Sequence, residues 1–355
     1  MWDKAPEQSS SGRNQKPRAR GRGRLLSYRE AIREGLLQAM EQDRRVFLFG
    51  EGIDDPAGVF GTTAGLQQRF GAGRVFDTPI CENTLTGIAI GSSLAGLRPV
   101  LIHMRTDFLL MSMDQLANHA AKWKYMFGGA TPLPMVVRAV IGGGWGSAAQ
   151  HSQPLQAIFA HIPGLKVVMP ACAYDAKGLL LSGIAEQSPV LFIDHRWLYD
   201  EKDAVPAAAY RIPLGKAHVV RKGSRLSLIC VSFMRKLALQ AAAELAKEGI
   251  DVEVIDVRTI KPLDMVTINR SVGKTGRALV LDFGYSFCGI TAEIAARISR
   301  DVFGSLKAPV YRIGLPDTPT PASPVLEKCF YPGPDAITDT IRRIMRGQKR
   351  VGKHR

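Results

Sequence analysis

The sequence predicts an α/β protein with two domains, each a mainly parallel sheet with helices on both faces. The chain has 355 residues, which suggests about two domains at roughly 150 residues each. Short apolar runs of strand length alternate with segments whose apolar residues recur at helical spacing, and this alternation is typical of helix-covered parallel sheets. A polar, irregular stretch at 201–222 separates two series of such elements.

The first series begins with a helix over about 27–42. Ser27 and Glu30 have the spacing of a capping box, and the apolar residues after them recur at helical intervals. Further along we expect strands at 46–49, 100–102, 134–140, 166–169 and 189–193, and helices near 85–97, 112–126 and 175–186.

The second series predicts strands at 226–231, 252–257, 278–282 and 310–313, with helices near 235–248, 290–303 and 335–346. The resulting division of the chain is a basic disordered tail at 1–24, a first domain at 25–200, a linker at 201–222, a second domain at 223–347 and a basic tail at 348–355.

Composition and charge exclude several classes of protein. Hydrophobic residues make up 46% of the chain and charged residues 22%, as in ordinary globular proteins. No apolar run approaches the roughly 18 residues of a membrane span, and the Arg-rich N-terminus lacks the core of a signal peptide, so we expect a cytoplasmic protein with no membrane partner. The net charge of +15 is concentrated in 1–24 and 342–355. Charge on such ends favours solvated tails over a nucleic-acid surface, with weak RNA or subunit contact as the alternative.

The common single-motif sites are not indicated. The five cysteines are scattered without a C-x-x-C pair, which predicts neither a zinc site nor a redox dithiol. The Gly-rich run at 142–146 lacks dinucleotide-loop spacing and is interpreted as an active-site or surface turn. Glu82 precedes a Gly- and Ala-rich helix. Taken alone, this acid is either a helix-terminus stabiliser or a functional carboxylate.

Several stretches together resemble a known family. They are RVFDTPICENTLTGIAIGSSLAGLRPV at 74–100, AAQHSQPL at 148–155 and PGLKVVMP at 163–170, followed by later stretches at 255–264, 289–295 and 314–328. The sequence resembles the beta subunit of the thiamine-diphosphate-dependent decarboxylating component of 2-oxo acid dehydrogenase complexes, of the pyruvate and branched-chain types. The resemblance implies a transketolase-like pyrimidine-binding domain at 25–200 and a transketolase C-terminal-like domain at 223–347.

The resemblance also assigns site residues. Glu82 matches the glutamate that bonds the cofactor's aminopyrimidine ring and drives its imino tautomer, and a dry pocket would raise the pKa of such a carboxyl. Phe108 matches the aromatic residue that packs on this ring, and His151 matches the histidine placed where substrate and lipoyl group meet. Arg105 and Thr106 depart from the pyruvate-type pattern of Thr and Phe. Arg105 either favours an anionic substrate or pairs with Asp107 or with a neighbouring subunit.

The resemblance further implies a cofactor that two subunits share. The chain has no Gly-Asp pair to start a magnesium motif, so an alpha subunit is expected to hold the diphosphate and Mg²⁺ in an alpha2-beta2 heterotetramer. A lipoyl-bearing acyltransferase is the expected acceptor. Backbone carbonyls that match a structural potassium site of the family belong to Met135, Gly183, Ile184, Glu186 and Ser188, with Glu186 in place of an aspartate.

Three functions remain open from the sequence. The first is the beta subunit of an enzyme that oxidatively decarboxylates a 2-oxo acid, pyruvate or a branched-chain one, and transfers the acyl group to a lipoyl partner. The second is the beta subunit of an acetoin dehydrogenase, or a split transketolase-like transferase. The third is a non-catalytic, basic-tailed binding protein on the same fold.

Overall fold

The computed structural model describes residues 24–55 and 57–347. The expected tail at 348–355 lies outside these residues, and so does 1–23 of the other tail. Arg24 is the first residue of a strand and pairs with Val205. Among the described residues no helix is both long and apolar enough to cross a membrane.

The first half of the chain supplies six of the seven strands of a sheet that is covered on both faces, and two further strands that pair with each other. Its strands and helices are β1 (Arg24–Ser27), α1 (Tyr28–Gln42), β2 (Val46–Gly50), α2 (Gly58–Gly61), α3 (Leu66–Phe70), β3 (Val75–Asp77), α4 (Glu82–Leu94), β4 (Arg98–His103), α5 (Ala121–Met126), β5 (Val136–Ile141), α6 (Gln156–His161), β6 (Lys166–Val168), α7 (Ala173–Ala185), β7 (Val190–His195) and β8 (Lys202–Val205). The capping box of Ser27 and Glu30 begins α1, as expected.

The second half contains a five-stranded sheet. Its elements are β9 (His218–Arg221), β10 (Leu226–Cys230), α8 (Met234–Ala246), β11 (Val252–Asp256), β12 (Thr259–Lys261), α9 (Met265–Thr275), β13 (Ala278–Tyr285), α10 (Ile290–Asp301), β14 (Tyr311–Leu315), α11 (Pro324–Phe330) and α12 (Pro334–Met345). The strand order is β14-β13-β10-β11-β9, and β9 alone in this sheet is antiparallel to its neighbour. The α/β class is confirmed.

Several strands, among them β8, β9 and β12, were not expected from the sequence because their hydrogen-bond partners are distant in the chain. The stretch at 201–222, expected to be irregular, contains β8, which pairs with β1, and β9, which edges the second sheet. β12 belongs to the second half by sequence but pairs antiparallel with β6 at the edge of the first sheet, whose order is β12-β6-β7-β5-β4-β2-β3. The second half therefore extends the first sheet.

Apolar side chains alternate between the two faces of the first sheet. One face packs against α1 and α7 through residues such as Leu48 and Phe192. The other face contacts α4, α5 and α6, and this core continues without a break into the second sheet through Ile229 and Val280. Strands that are buried on both faces read as continuous apolar runs, which is why the sequence showed them clearly.

The segment expected as one helix at 112–126 has three geometries. It begins with a 3₁₀ turn at Phe108–Ser112, continues as a π-helical turn at Gln115–Ala120 and ends as α5. Turns of this kind often occur at functional sites. The 3₁₀ turn packs against α4, which brings Phe108 to the side of the sheet where α4 begins.

Candidate active site

Four segments that follow parallel strands meet at one edge of the first sheet. Glu82 follows β3, the segment at 104–108 follows β4, the Gly-rich run and His151 follow β5, and Arg196 follows β7. The strands β7, β5, β4, β2 and β3 are neighbours in this order and all run parallel. Ligand sites in parallel sheets form outside the carboxyl ends of the strands, so the fold itself gathers the predicted residues.

Glu82 is the first residue of α4 and is partly exposed. Its backbone carbonyl accepts a hydrogen bond from Thr86 Oγ1 at 2.8 Å, and the Thr86 hydroxyl also lies within hydrogen-bond distance of the Ser112 hydroxyl of the 3₁₀ turn, at 2.9 Å. Within residues 24–55 and 57–347, no hydrogen bond or ion pair engages the Glu82 carboxylate itself. The carboxylate is therefore available to an external donor.

Phe108 and His151 are brought together by the fold. Their ring centroids lie 5.1 Å apart with an interplanar angle of 75°, an edge-to-face contact. His151 is exposed and Phe108 is partly buried. An aromatic face and a titratable imidazole therefore share one opening of the site, although 43 residues separate them in sequence.

The segment that carries His151 is tied to the segment that follows β4. Asp107 Oδ1 accepts from the Gln153 backbone N–H at 2.9 Å, and the Thr106 hydroxyl donates to the Gln153 carbonyl at 3.1 Å. Asp107 is 6% exposed and Thr106 is fully buried. These two buried contacts fix His151 relative to Phe108, the residue after Asp107.

The Arg105 side chain is buried and forms an ion pair with Asp107. Its Nε donates to Asp107 Oδ2 at 3.1 Å and its Nη2 donates to the Gly142 carbonyl at 2.8 Å. The two side chains of the pair are 8% and 1% exposed. Of the two interpretations of Arg105, the structure therefore supports the pairing with Asp107, and it leaves no reason in this residue to expect an anionic substrate.

The Gly-rich run at 142–146 is the inner wall of the site and contacts the second domain. Gly142 has φ +106°, and a Cβ there would lie 2.8 Å from the His195 ring. A Cβ on Gly143 would lie 2.5 Å from the Tyr331 hydroxyl of the second domain, and the Gly143 carbonyl accepts from Trp197 Nε1 at 2.9 Å. The positive φ and the buried His195 ring together require glycine at position 142.

His195, at the end of β7, is buried behind this run. Its burial, aided by Arg105 and Arg196, lowers its pKa to about 3, so the imidazole is neutral. Nδ1 accepts from the Trp197 backbone N–H at 3.3 Å, which leaves the ring proton on Nε2. The imidazole stacks on Phe233 of the second domain at 5.1 Å between centroids. This histidine lies buried in the domain interface and does not line the opening near His151.

Comparisons with known proteins decide the family. The family "Transketolase, pyrimidine binding domain" matches residues 24–202 and the family "Transketolase, C-terminal domain" matches 215–337. The acetoin:2,6-dichlorophenolindophenol oxidoreductase subunit beta of Cupriavidus necator is 43% identical over 93% of this chain and 99% of its own length. The chain belongs to the transketolase-like family of thiamine-diphosphate-dependent oxidoreductase beta subunits.

Other relatives carry different names within the same beta-subunit family. The pyruvate dehydrogenase E1 component subunit beta of Rickettsia felis is 40% identical over 90% of this chain and 98% of its own length. The 2-oxoisovalerate dehydrogenase subunit beta of Bacillus subtilis is 41% identical, again over 90% of this chain and 98% of its own. A solved structure described as a split gene transketolase, inactive beta4 tetramer, has a TM-score of 0.76 at 19% identity, over 91% of this chain and 99% of that one, which supports the fold alone.

The carbonyls expected for potassium in this beta-subunit family lie near the ends of α7, β5 and β7. Those of Ile184 and Glu186 accept from Arg98 Nη1 at 2.8 and 3.2 Å. The Met135 carbonyl accepts from the Val190 N–H at 3.0 Å, and the Gly183 carbonyl accepts from the Glu186 N–H at 3.2 Å. Each carbonyl keeps a second lone pair, but a potassium ion here would share the Ile184 and Glu186 carbonyls with the Arg98 guanidinium. Within the described part of the chain, no group of three or more His, Cys, Asp and Glu side chains is arranged to hold a metal.

Sequence reasoning named Thr106 and Asp107 but not the hydrogen bonds by which they hold the site together. Both side chains bond Gln153, which lies 46 to 47 residues away. Gln156 and Asp282, which bond each other across 126 residues, were missed altogether. The available signal was the acid next to Phe108. A buried Asp in an apolar context needs a donor, and Asp107 has two.

Proposed function

We propose that this chain is the beta subunit of an enzyme that oxidatively decarboxylates a 2-oxo acid and passes the acyl group to a lipoyl-bearing acyltransferase. Membership of the beta-subunit family supports this class of reaction. The observation that carries the proposal is the arrangement of one free carboxylate, Glu82, and the Phe108–His151 ring pair at the carboxyl edge of a single parallel sheet.

The residues present fit the pyrimidine half of thiamine diphosphate. Glu82 is partly exposed with its carboxylate unengaged, so it can accept from a ring N–H and hold or return that proton. Phe108 offers an apolar ring face to a flat heterocycle. When bound, thiamine diphosphate supplies a thiazolium carbon that adds to a carbonyl and takes up the electrons of the broken carbon–carbon bond.

We also propose that His151 acts on the substrate. Its exposure and its ring contact with Phe108 put an imidazole at the mouth of the site. An imidazole can hold a proton beside the reacting carbonyl or bond a carboxylate. The buried contacts of Thr106 and Asp107 to Gln153 orient this part of the chain before substrate arrives.

The diphosphate half of the cofactor is assigned to a partner. We propose that an alpha subunit supplies the diphosphate and Mg²⁺ ligands and that two chains of each kind form an alpha2-beta2 heterotetramer. Large apolar side chains are exposed in the segment that follows Phe108: Met111 in the 3₁₀ turn is 67% exposed, and Tyr125 and Met126 at the end of α5 are 83% and 61% exposed. Exposed apolar patches of this kind mark protein interfaces. A potassium ion at the carbonyls of Ile184 and Glu186 would have to share them with Arg98.

Acetoin is the second candidate substrate. The relative with 43% identity is named for acetoin, and the inward pairing of Arg105 removes the one residue whose charge favoured an anion. Glu82, Phe108 and His151 serve both reactions. Each reaction breaks a carbon–carbon bond next to a carbonyl and leaves a two-carbon or larger acyl unit for the lipoyl group.

The deciding assay uses the chain co-purified with its alpha subunit. Turnover is measured with pyruvate, branched-chain 2-oxo acids, acetoin and sugar phosphates, each with and without thiamine diphosphate and Mg²⁺. Turnover of a 2-oxo acid supports the first proposal, whereas turnover of acetoin alone replaces it with the second. Sugar-phosphate transfer, or no cofactor-dependent turnover with any of them, contradicts both.

The variant Glu82→Gln tests the assignment of the carboxylate. Glutamine keeps the size but cannot hold the proton, so deuterium exchange at the thiazolium carbon of the assembled enzyme should fall by roughly 100- to 10,000-fold. Because the carboxylate has no partner among the residues that the structure describes, unfolding stability should change by no more than about 0.3–1 kcal/mol, the value of an acid at a helix N-terminus. Exchange at the wild-type rate would remove Glu82 from the mechanism.

A further inference from the structure

A buried hydrogen-bonded pair joins the two domains directly behind the site. Gln156 opens α6 in the first domain and Asp282 lies in β13 of the second domain, and the two are 0% and 2% exposed. Gln156 Nε2 donates to Asp282 Oδ1 at 3.1 Å and to Oδ2 at 2.9 Å. One amide thus bonds both oxygens of a carboxylate across the domain boundary.

The Gln156 amide is the side-chain donor that stabilises the buried Asp282 carboxylate. No Lys, Arg or His forms an ion pair with it in the described residues, and its other donors are the backbone N–H groups of Phe283 and Gly284. Burial raises the pKa of Asp282 to about 6. A Cβ on Gly284 would lie 2.5 Å from Asp282 Oδ2 and 3.0 Å from Gln156 Nε2, so glycine at this position leaves the space that the pair occupies.

The pair lies at one end of the segment that carries His151. We name residues 151–156 the His151 strap. Thr106 and Asp107 hold the strap at Gln153, and Asp282 holds it at Gln156. Among the described residues the His151 side chain makes a ring contact with Phe108 and no hydrogen bond, so its position relies on these two anchors.

We propose that Gln156 and Asp282 are positioning residues. Their hydrogen bonds, which we call the clasp, attach the end of the His151 strap to the second domain and so set the position of His151 during turnover. This proposal rests on the proposed function for the role of His151. The anchor is independent of the contacts at Gln153, because it comes from the other domain. A relative movement of the two domains would therefore reach His151 through Gln156.

The geometry offers a reciprocal test. Gln156 Oε1 is buried without a hydrogen-bond partner among the described groups. In Gln156→Glu, two carboxylates face each other in a buried site and the donor is lost, which breaks the clasp. In the double variant Gln156→Glu/Asp282→Asn, the side-chain lengths are unchanged and the asparagine amide donates to the glutamate, so the clasp is restored with its direction reversed.

The experiment compares wild type, the two single variants and the double variant in the assembled enzyme. Gln156→Glu should lower kcat by about tenfold or more, since a misplacement of about 1 Å can cost as much as 100-fold. Deuterium exchange at the thiazolium carbon should stay within about twofold of wild type, because Glu82 lies on another segment. Backbone amide exchange in peptides covering 147–156 should accelerate, and both kcat and amide exchange should return in the double variant.

A matched control acts on the other end of the same helix. Lys261 Nζ donates to the Ala160 and Ile162 carbonyls at 2.7 and 3.0 Å. Lys261→Met therefore removes another contact between α6 and the second half of the chain, and it leaves the His151 strap unchanged. It should lower the melting temperature but leave kcat and the exchange of 147–156 near wild type. If Gln156→Glu does not fold, Gln156→Met removes the donor without adding a charge and takes its place.

Two outcomes overturn the proposal. In the first, Gln156→Glu behaves like Lys261→Met, with a lower melting temperature but unchanged kcat and unchanged exchange at 147–156. In the second, the double variant folds at the wild-type melting temperature and recovers neither quantity. Amide exchange needs no substrate, so it decides the clasp even if the wild-type complex turns over none of the tested substrates, which is the failure of the proposed function.

Discussion

Replacing Asp107 with alanine should both destabilise the protein and loosen the site. The Asp107 carboxylate bonds Arg105 Nε at 3.1 Å and the Gln153 N–H at 2.9 Å. Removing one partner of a buried ion pair costs about 3–5 kcal/mol, and leaving a buried N–H without its acceptor costs about 1–3 kcal/mol. Because one carboxylate serves both, we expect a combined loss of about 4–8 kcal/mol. Net stabilities of about 5–15 kcal/mol make this a large effect.

The assay combines denaturant unfolding of the purified chain with steady-state kinetics of the assembled enzyme. In Asp107→Ala the midpoint should fall strongly, and kcat should fall by about tenfold or more because Gln153 no longer holds His151. The double variant Arg105→Met/Asp107→Ala removes the stranded guanidinium and should recover much of the stability but little of the kcat. A single variant within about 1 kcal/mol of wild type would refute the buried-pair reasoning, and full recovery of kcat in the double variant would refute the anchoring of His151.

Three further predictions concern stability. Asp194→Asn should cost about 3–5 kcal/mol in denaturant unfolding, because it leaves Arg138, whose side chain is 0% exposed, without its carboxylate; a loss under about 1 kcal/mol would contradict this. For Asp282 the folded pKa of about 6 lies above the unfolded value, so its contribution to stability is greatest below about pH 4 and is lost as pH rises to about 6. Asp282→Asn should therefore gain up to about 3 kcal/mol relative to wild type over that range, and parallel pH profiles of unfolding would oppose the assignment. Removal of 1–23 and 348–355 should leave melting temperature and kcat of the assembled enzyme nearly unchanged, and a clear drop in either would show that these ends take part in folding or assembly.

The strands and helices of both cores could be predicted because their signal is local. The apolar runs that became β5 and β7 are buried at every position, and the capping box of Ser27 and Glu30 begins α1 where its spacing indicates. The strands that were missed, such as β8, β9 and β12, are short. β9 and β12 lie at the edges of the two large sheets, and β8 pairs with β1 in a separate two-stranded sheet. Their formation depends on partners elsewhere in the chain, which a local pattern does not contain.

For the candidate site, the sequence by itself determined which chemistry-bearing residues belong together, and the tertiary structure decided how they are held. Glu82, Phe108 and His151 were assigned from sequence stretches that resemble a family, and their roles stay predictions. The inward turn of Arg105 and the clasp of Gln156 and Asp282 could come only from the structure. A hydrogen bond between distant segments depends on burial and distance, and neither quantity is set by the residues adjacent in sequence.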